Sequence, residues 1–512
     1  MILRDRLPSR RGLMLAALGA VLMFTAYPPA SFVLPSFICL LPFLWGIEEL
    51  SSLPDARRPI AVFGYWYGVV ANGAVLYWMV VALWHFTPLS ALGYASSLLL
   101  ALGPLWSLLA WATWRAWKGA GIPLWVCFPL FWTTLEWILA HLGDLAFPWL
   151  GLGTSLGRIP TLVQWADLAG ARGVTLWLAW VNVMLFAVLR LRAWRPAVLV
   201  GATLVVALVH GSWRERSLVV RPALKVAMLQ PNVGFDEKRD NRRDIRLLTQ
   251  LLDMTRRAAA DTSVGLVAWP EAAVPVFFVN HPHYADSISR LAREVSRHLL
   301  VGGLNAVQTE DGGWDTYNAA FFVDTGGRAR QPIYAKRYLV PIVERVPFLN
   351  PDWFGNLQWF GGFERGDSMP VYRVGQAGFG VVICYESAFE NLARRYRRDG
   401  ADFLLNITND AWFGRTAAPY QHASHLVMRA IETRMGVARA ANSGISQFVD
   451  PLGRPYQSTE LDTEAMVAGT VMTTDARTLY VRLGDWVGWL ALTGTALCCV
   501  LIGLNRRRGE TV

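Results

Sequence analysis

Up to residue 213 this chain is a succession of long apolar runs, near residues 12–27, 32–47, 59–82, 89–114, 122–141, 173–189 and 196–213, and one more follows near 486–504. A bilayer core takes about 20 apolar residues per helix. So many runs of that size have no place to hide in a water-soluble fold of 512 residues. The expected architecture is a polytopic α-helical membrane domain over 1–213 with about seven helices, an extramembrane α/β domain over 221–483, and a C-terminal transmembrane helix over 486–504. Composition points the same way, because 54% hydrophobic and 17% charged residues is too apolar for an ordinary soluble enzyme.

Loop charges carry the orientation, since Lys and Arg accumulate in cytoplasmic loops. One alternating set of segments holds Arg4, Arg6, Arg10, Arg11, then Arg57 and Arg58, Arg115 and Lys118, Arg190, Arg192 and Arg195, and Arg506, Arg507 and Arg508; the opposite set holds only Arg158 and Arg172. With eight crossings both termini are expected in the cytoplasm and the polar domain outside it, which in a bacterium means an inner-membrane protein with a periplasmic domain. The N-terminus also reads as a signal peptide, basic then apolar with small residues near Ala30, but the next apolar run follows so closely that an uncleaved first helix is expected. Net charge of +10 does not call for nucleic acid, because many of the basic residues sit between apolar spans rather than along a groove with stacking aromatics.

From about residue 221 to 483 short apolar bursts alternate with amphipathic stretches, the pattern of an α/β fold. Strands are expected at 225–229, 265–269, 299–304, 317–323, 380–384, 402–407 and 445–449, and helices from near Asn241, Tyr284, Ala388 and Gln421. Asp324 to Gly327 reads as a hairpin turn. Cys384 is the only one of five cysteines in this polar stretch, so no disulfide is expected within it. His281 with His283 and His422 with His425 lack a third ligand at a metal-binding spacing. No metal and no cofactor are expected, and there is no Gly-rich phosphate loop.

Three segments carry chemistry. Cys384 ends the burst Gly380-Val-Val-Ile383 and precedes Tyr385-Glu386-Ser387 and an Arg-rich helical stretch. This is a strand-to-helix elbow, where a thiol is expected to be exposed and its pKa lowered by the helix N-terminus. Glu271 ends the strand segment Trp269-Pro-Glu271 and suits a general base. Lys336, in Tyr334-Ala-Lys336-Arg-Tyr-Leu-Val-Pro341, is flanked by aromatic and aliphatic residues and suits a cation facing a developing oxyanion. They follow in the order Glu, Lys, Cys at spacings of 65 and 48 residues, each beside an expected strand end.

In that order and company the polar domain resembles the nitrilase superfamily, and the whole chain resembles its membrane-embedded branch, the apolipoprotein N-acyltransferases. The segments that match are Trp269-Pro-Glu271, Tyr334-Ala-Lys336, Leu339-Val-Pro341 with Glu344, Ile383-Cys-Tyr-Glu386, Asn409-Asp-Ala-Trp-Phe-Gly414 and, in the apolar part, Phe147-Pro-Trp-Leu150. The resemblance implies an αββα sandwich and a ping-pong acyltransferase. Cys384, deprotonated by Glu271, attacks the sn-1 ester of a phospholipid acyl donor; Lys336 and the backbone N–H of Tyr385 stabilise the oxyanion. The thioester then passes its acyl chain to the α-amine of a diacylglyceryl-apolipoprotein acceptor. Glu344 positions Lys336, and Tyr385 and Glu386 support the elbow. Trp353, Trp359 and Phe360, in an aromatic and Gly-rich stretch over 351–366, are expected to form a lipid-facing flap, and Trp412 joins them as a candidate lipid contact. Arg239 stands where family members often carry Trp, which bears on a substrate contact and leaves the acylation chemistry untouched. Two alternatives use the same sequence differently: a membrane-tethered nitrilase-type amidase that gives the acyl group to water, and a transporter or membrane scaffold with a non-catalytic exported domain. The second would need more intramembrane charge than Glu136.

Overall fold

The computed structural model describes residues 7–84, 90–234, 244–341, 343–345 and 362–507. The chain divides into two compact units: a helical one of Met1–His141, Pro148–Arg216 and Asp485–Val512, and an α/β one of Leu142–Phe147 and Ser217–Gly484.

Among the described residues of the helical unit, six stretches are long and apolar enough to cross a membrane: Val33–Leu50, Arg57–Leu76, Ser90–Gly119, Ala166–Leu191, Arg195–Ser217 and Trp486–Asn505. Two other apolar runs expected to span form helices of only 17 residues, Arg10–Ala26 and Leu124–Ala140. At 1.5 Å per residue each covers about 26 Å, slightly less than a bilayer core. The run near 12–27 is already short for a full span in sequence, whereas the run near 122–141 is not, because hydropathy does not see where the backbone stops being helical. Ser9 ends one of them by capping, its side chain accepting from the Gly12 N–H.

Helix contact here rests on close backbone approach, as it must where lipid offers no hydrophobic drive between helices. A Cβ on Gly64 would lie 2.5 Å from the Ala110 Cβ, and one on Gly68 would lie 2.5 Å from the Trp106 Cβ. These two glycines, one helical turn apart, let Arg57–Leu76 press against Gly103–Trp114. Around that contact Phe43, Phe63, Tyr67, Trp106 and Phe128 pack edge-on and stacked at 5.0–6.1 Å between ring centres.

The α/β unit has two sheets. The first is built from β1 (Arg221–Gln230), β2 (Leu266–Ala268), β3 (Val274–Phe277), β4 (His298–Gln308), β5 (Trp314–Val323), β6 (Tyr334–Ala335) and β13 (Ala465–Thr473), in the order β13-β1-β2-β4-β5-β6 with β3 also paired to β4. The second is built from β7 (Tyr372–Val374), β8 (Ala377–Ile383), β9 (Phe403–Thr408), β10 (Gly436–Ala441), β11 (Gln447–Val449) and β12 (Pro455–Tyr456), in the order β12-β11-β10-β9-β8-β7. The sheets face each other through β1, β10 and β13. Helices Asp244–Ala259 and Pro282–Val295 cover the first sheet, burying Leu251, Met254 and Leu291 against Val267 and Leu299. Helices Glu390–Arg398 and Ala418–Thr433 cover the second. The result is an αββα sandwich. Its central strands β1, β2 and β4, and β8, β9 and β10, run parallel, so their C-terminal ends lie side by side and deliver loop residues to one edge.

The six residues Leu142–Phe147 belong to the α/β unit although they fall between two apolar stretches. Hydropathy gives no sign of this. The Tyr385 hydroxyl donates to the Ala146 carbonyl at 2.8 Å, and the Phe147 ring stacks on Tyr385.

Candidate active site

Glu271 is placed by a crowded turn. After β2 the Trp269 N–H donates to the Leu300 carbonyl at 2.8 Å, the Trp269 indole donates to the Thr255 hydroxyl at 2.9 Å, and the Ala273 N–H donates to the Gly302 carbonyl at 2.9 Å. Only glycine fits at 302, because a Cβ there would lie 2.1 Å from the Pro270 carbonyl oxygen. Ala272 takes a left-handed conformation (φ 43°) to turn the chain. The carboxylate is buried and accepts from Asn318 Nδ2 at 2.7 Å, from the Asn409 N–H at 2.8 Å and from Lys336 Nζ at 3.3 Å.

Lys336 follows β6, and its N–H donates to the Asn318 carbonyl at 2.8 Å. Its side chain is 1% exposed, and Nζ also donates to Glu344 Oε1 at 2.9 Å. Glu344 is held in turn by the Val340 N–H at 2.8 Å and by Asn318 Nδ2 at 3.0 Å. Burial works to discharge the lysine, but Glu271 and Glu344 together outweigh it and hold its pKa well above the ordinary value. Lys336 is therefore a fixed ammonium between two carboxylates.

Cys384 follows β8 in a left-handed conformation (φ 52°), and the chain continues as a 3-10 turn, Cys384–Ala388, before helix Glu390–Arg398 begins. A non-glycine residue in that region stores strain, a feature of side chains held for function. Glu386 stabilises the turn: its buried carboxylate accepts from the Ile383 N–H (2.7 Å), the Tyr334 hydroxyl (2.7 Å), the Arg337 N–H (2.7 Å) and the Tyr338 N–H (3.2 Å). One side chain thus ties the cysteine elbow to the lysine segment.

Two expectations for the thiol are corrected. Cys384 is 1% exposed rather than presented to solvent. Its pKa lies well above the ordinary thiol value, because burial and the Glu271 charge raise it and Lys336 offsets them only in part. A single 3-10 turn is too short to supply the helix-end field that was expected to lower it.

The structure thus brings Glu271, Lys336, Glu344 and Glu386 into one hydrogen-bonded cluster, with the Cys384 thiol in the field of Glu271 and Lys336. Trp412 lies three residues beyond Asn409, its ring stacked on Phe413 at 5.2 Å. Arg239, Trp353, Trp359 and Phe360 fall outside the described residues. Sequence reasoning missed Asn318, which bridges the two acids from β5, and the signal was available: Asn318 is the polar residue that opens the buried run Asn318-Ala-Ala-Phe-Phe-Val323. It also left the Asn409 backbone, which donates to Glu271, without a role. Among the described residues no group of three or more His, Cys, Asp or Glu could hold a metal. A neutral thiol beside a carboxylate and a fixed ammonium can attack a carbonyl by passing its proton to the carboxylate while the ammonium meets the new oxyanion.

Comparison with known proteins extends beyond the site. Residues 19–184 match the apolipoprotein N-acyltransferase N-terminal domain, and residues 225–479 match the carbon-nitrogen hydrolase family. A curated apolipoprotein N-acyltransferase of Geobacter metallireducens is 32% identical over 97% of this chain and 96% of its own length. Another, of Chlorobaculum tepidum, is 30% identical over 75% of this chain and 77% of its own. The crystal structure of a Saccharomyces cerevisiae member of branch 10 of the nitrilase superfamily, 17% identical, aligns with 49% of this chain and 91% of its own at a TM-score of 0.38. On the near full-length identity and the two matched domains together, the chain belongs to the apolipoprotein N-acyltransferase family.

Proposed function

We propose that this membrane protein moves a fatty acyl chain from a phospholipid, through a thioester on Cys384, to the α-amine of the N-terminal diacylglyceryl-cysteine of a lipoprotein. The observation that carries the reading is the charge balance of the site: two carboxylates, one ammonium and a thiol whose pKa is raised, all buried. Ionising the thiol while Glu271 stays charged would put a second uncompensated negative charge in that space. The proton therefore moves to Glu271 as sulfur attacks the ester carbonyl, and the lysophospholipid leaves with a proton returned from Glu271. In the second half Glu271 takes the proton of the attacking amine, and sulfur leaves as the thiol. Lys336, with the Tyr385 N–H, stabilises both tetrahedral oxyanions. Glu344 keeps Lys336 charged and in place.

Loop charge supports an inner-membrane location with both termini in the cytoplasm and the α/β unit in the periplasm. That assignment needs eight crossings, the six long apolar stretches and the two 17-residue helices Arg10–Ala26 and Leu124–Ala140. The test of the chemistry is to incubate the purified protein with phospholipid alone and measure intact mass and peptide masses. An acyl adduct on Cys384 is expected, absent in Cys384→Ala and discharged by a diacylglyceryl-cysteine peptide. An adduct elsewhere, or acyl transfer that persists in Cys384→Ala, overturns the reading.

A further inference from the structure

The two oxygens of Glu271 are held by different parts of the fold. Oε1 faces Asn318 Nδ2 at 2.7 Å and Lys336 Nζ at 3.3 Å, an amide NH2 and an ammonium that can only donate. A proton arriving on Oε1 would meet both of them, so the thiol proton is directed to Oε2. That oxygen accepts from the Asn409 N–H at 2.8 Å. The placing of one backbone amide therefore bears on the proton step, and the amide lies in the turn just past β9. The Asn409 side chain supports that turn, its Oδ1 accepting from Asn442 Nδ2 at 3.0 Å and, over a longer contact, from the Ala411 N–H at 3.4 Å. The next residue, Asp410, is tied to Arg439 at 2.7 Å and to His422 at 2.9 Å.

Asn442, just past β10, is fully buried, and each of its polar atoms is engaged. Its N–H donates to the Thr408 carbonyl at 3.0 Å, which carries the parallel pairing of β9 and β10 one step beyond Thr408 and Ala441. Its carbonyl accepts from the Asn232 N–H at 2.9 Å. Its amide pairs with the backbone of Val233, Oδ1 accepting from the N–H at 3.2 Å and Nδ2 donating to the carbonyl at 2.7 Å. The other Nδ2 proton goes to Asn409 Oδ1. A flipped amide would turn its oxygen toward two acceptors, so the partners fix its orientation. Asn442 thus joins the segment after β1 to the turn that serves the base. We propose that Asn442 is a positioning residue for the reaction: through the Asn409 side chain it holds the Asn409 N–H on Glu271 Oε2, so that the base meets the Cys384 proton in one orientation. The proposal rests on Cys384 being the acyl carrier and Glu271 its base.

The test is the rate at which Cys384 takes up an acyl group from phospholipid in the detergent-solubilised full chain, followed by intact mass after rapid quenching. Asn409→Ala is the decisive variant, because it removes Oδ1 and leaves the backbone N–H, every charge and the pairing of Asn442 with Val233. Its acylation rate constant should fall about three- to tenfold. The phospholipid concentration that gives half the maximal rate should stay within about twofold of the wild type, since ground-state binding is untouched. A merely structural loss would lower the fraction of chains acylated and not the rate constant of those that are. Asn442→Ala should lower the rate constant at least as far as Asn409→Ala. In the Asn442→Ala background, Asn409→Ala should cost less than about a further twofold, because the two act through one hydrogen bond. An unchanged rate constant in Asn409→Ala, or the same fall in both backgrounds, overturns the proposal and leaves Cys384 as the acyl carrier. A wild type that takes up no acyl group on Cys384 overturns both.

Discussion

The two units bury charge for different ends. In the helical unit each buried acid closes a local gap. Glu136 accepts from the Trp132 indole (2.9 Å), the Leu152 N–H (2.8 Å) and the Thr175 hydroxyl (2.9 Å), pinning the 3-10 segment Leu152–Leu156 to two helices. Asp167, fully buried, meets Arg214 at 2.7 Å. The α/β unit also has such anchors, as where buried Arg397 donates to the Ala401 and Ala476 carbonyls and Arg429 pairs with Glu432, but there a further set of charges is concentrated. Glu271, Glu344 and Lys336 share one place, and Asp410 with Arg439 stands just behind the cysteine. Burying charge is costly in either unit unless it is paired and hydrogen-bonded. The helical unit uses these two acids to join a loop or a second helix to its own, whereas the α/β unit also sets like charges together and lets one lysine hold them. An arrangement of that second kind perturbs proton affinities, as sites of chemistry do.

The comparison breaks most visibly at Lys336. Lys336→Met keeps the length and the buried stem but leaves Glu271 and Glu344 facing each other without a cation. Losing one partner of a buried pair costs about 3–5 kcal/mol, and one carboxyl is expected to take up a proton in partial relief. Losing an oxyanion donor alone costs about 100- to 1,000-fold. With the base also partly protonated, acyl transfer should fall by about 1,000-fold or more, and thermal unfolding of the detergent-solubilised protein should move to lower temperature. Transfer within tenfold of the wild type would mean that the ammonium is structural.

A milder change separates charge from shape. Glu344→Gln preserves a carbonyl oxygen for Lys336 but removes one of the two charges that raise its pKa. The lysine pKa must then fall, so the protonated form is lost at lower pH than in the wild type. The alkaline limb of the pH–activity profile should move down, and transfer at neutral pH should drop about 10- to 100-fold. An alkaline limb that stays in place would show that Glu271 alone keeps Lys336 charged.

Legibility in sequence follows the same division. The helical unit was readable because a bilayer imposes one long-range rule, and apolar length betrays it. What escaped were the ends of Leu124–Ala140, which stops short, and Leu142–Phe147, whose place is decided by a hydroxyl and a ring on Tyr385 rather than by hydropathy. In the α/β unit the seven expected strands coincide with observed ones, while six others were missed: β3, β6, β7 and β12, which at two to four residues show little period, and also β10 and β13, which run six and nine residues. Glu271, Lys336 and Cys384 stood out only together, since each alone has an ordinary explanation and it was their shared order beside strand ends, with the neighbouring segments, that singled them out. Asn318 did not, since a single neutral polar residue on a strand looks the same whether it faces solvent or bridges two carboxylates. The thiol pKa was read with the wrong sign because burial at position 384 depends on both sheets and all their loops, while the elbow motif reports only its own turn.

The smallest expected effect on chemistry is the sharpest check on the division between the units, because it makes the Glu344 substitution again in the other one. Glu136→Gln keeps one oxygen and replaces the other by an NH2 that cannot accept, so at least one of the donors Trp132, Leu152 N–H and Thr175 loses its partner. A buried donor left unpaired costs about 1–3 kcal/mol, which should appear as a lower unfolding temperature in detergent. The reacting groups keep their own counter-ions, so transfer per folded molecule should stay within about threefold of the wild type and the alkaline limb should not move. If Glu136→Gln instead shifted the pH profile as Glu344→Gln does, the helical unit would be taking part in proton chemistry, and its buried acid would have to be counted among the groups that tune the site rather than among those that hold a loop.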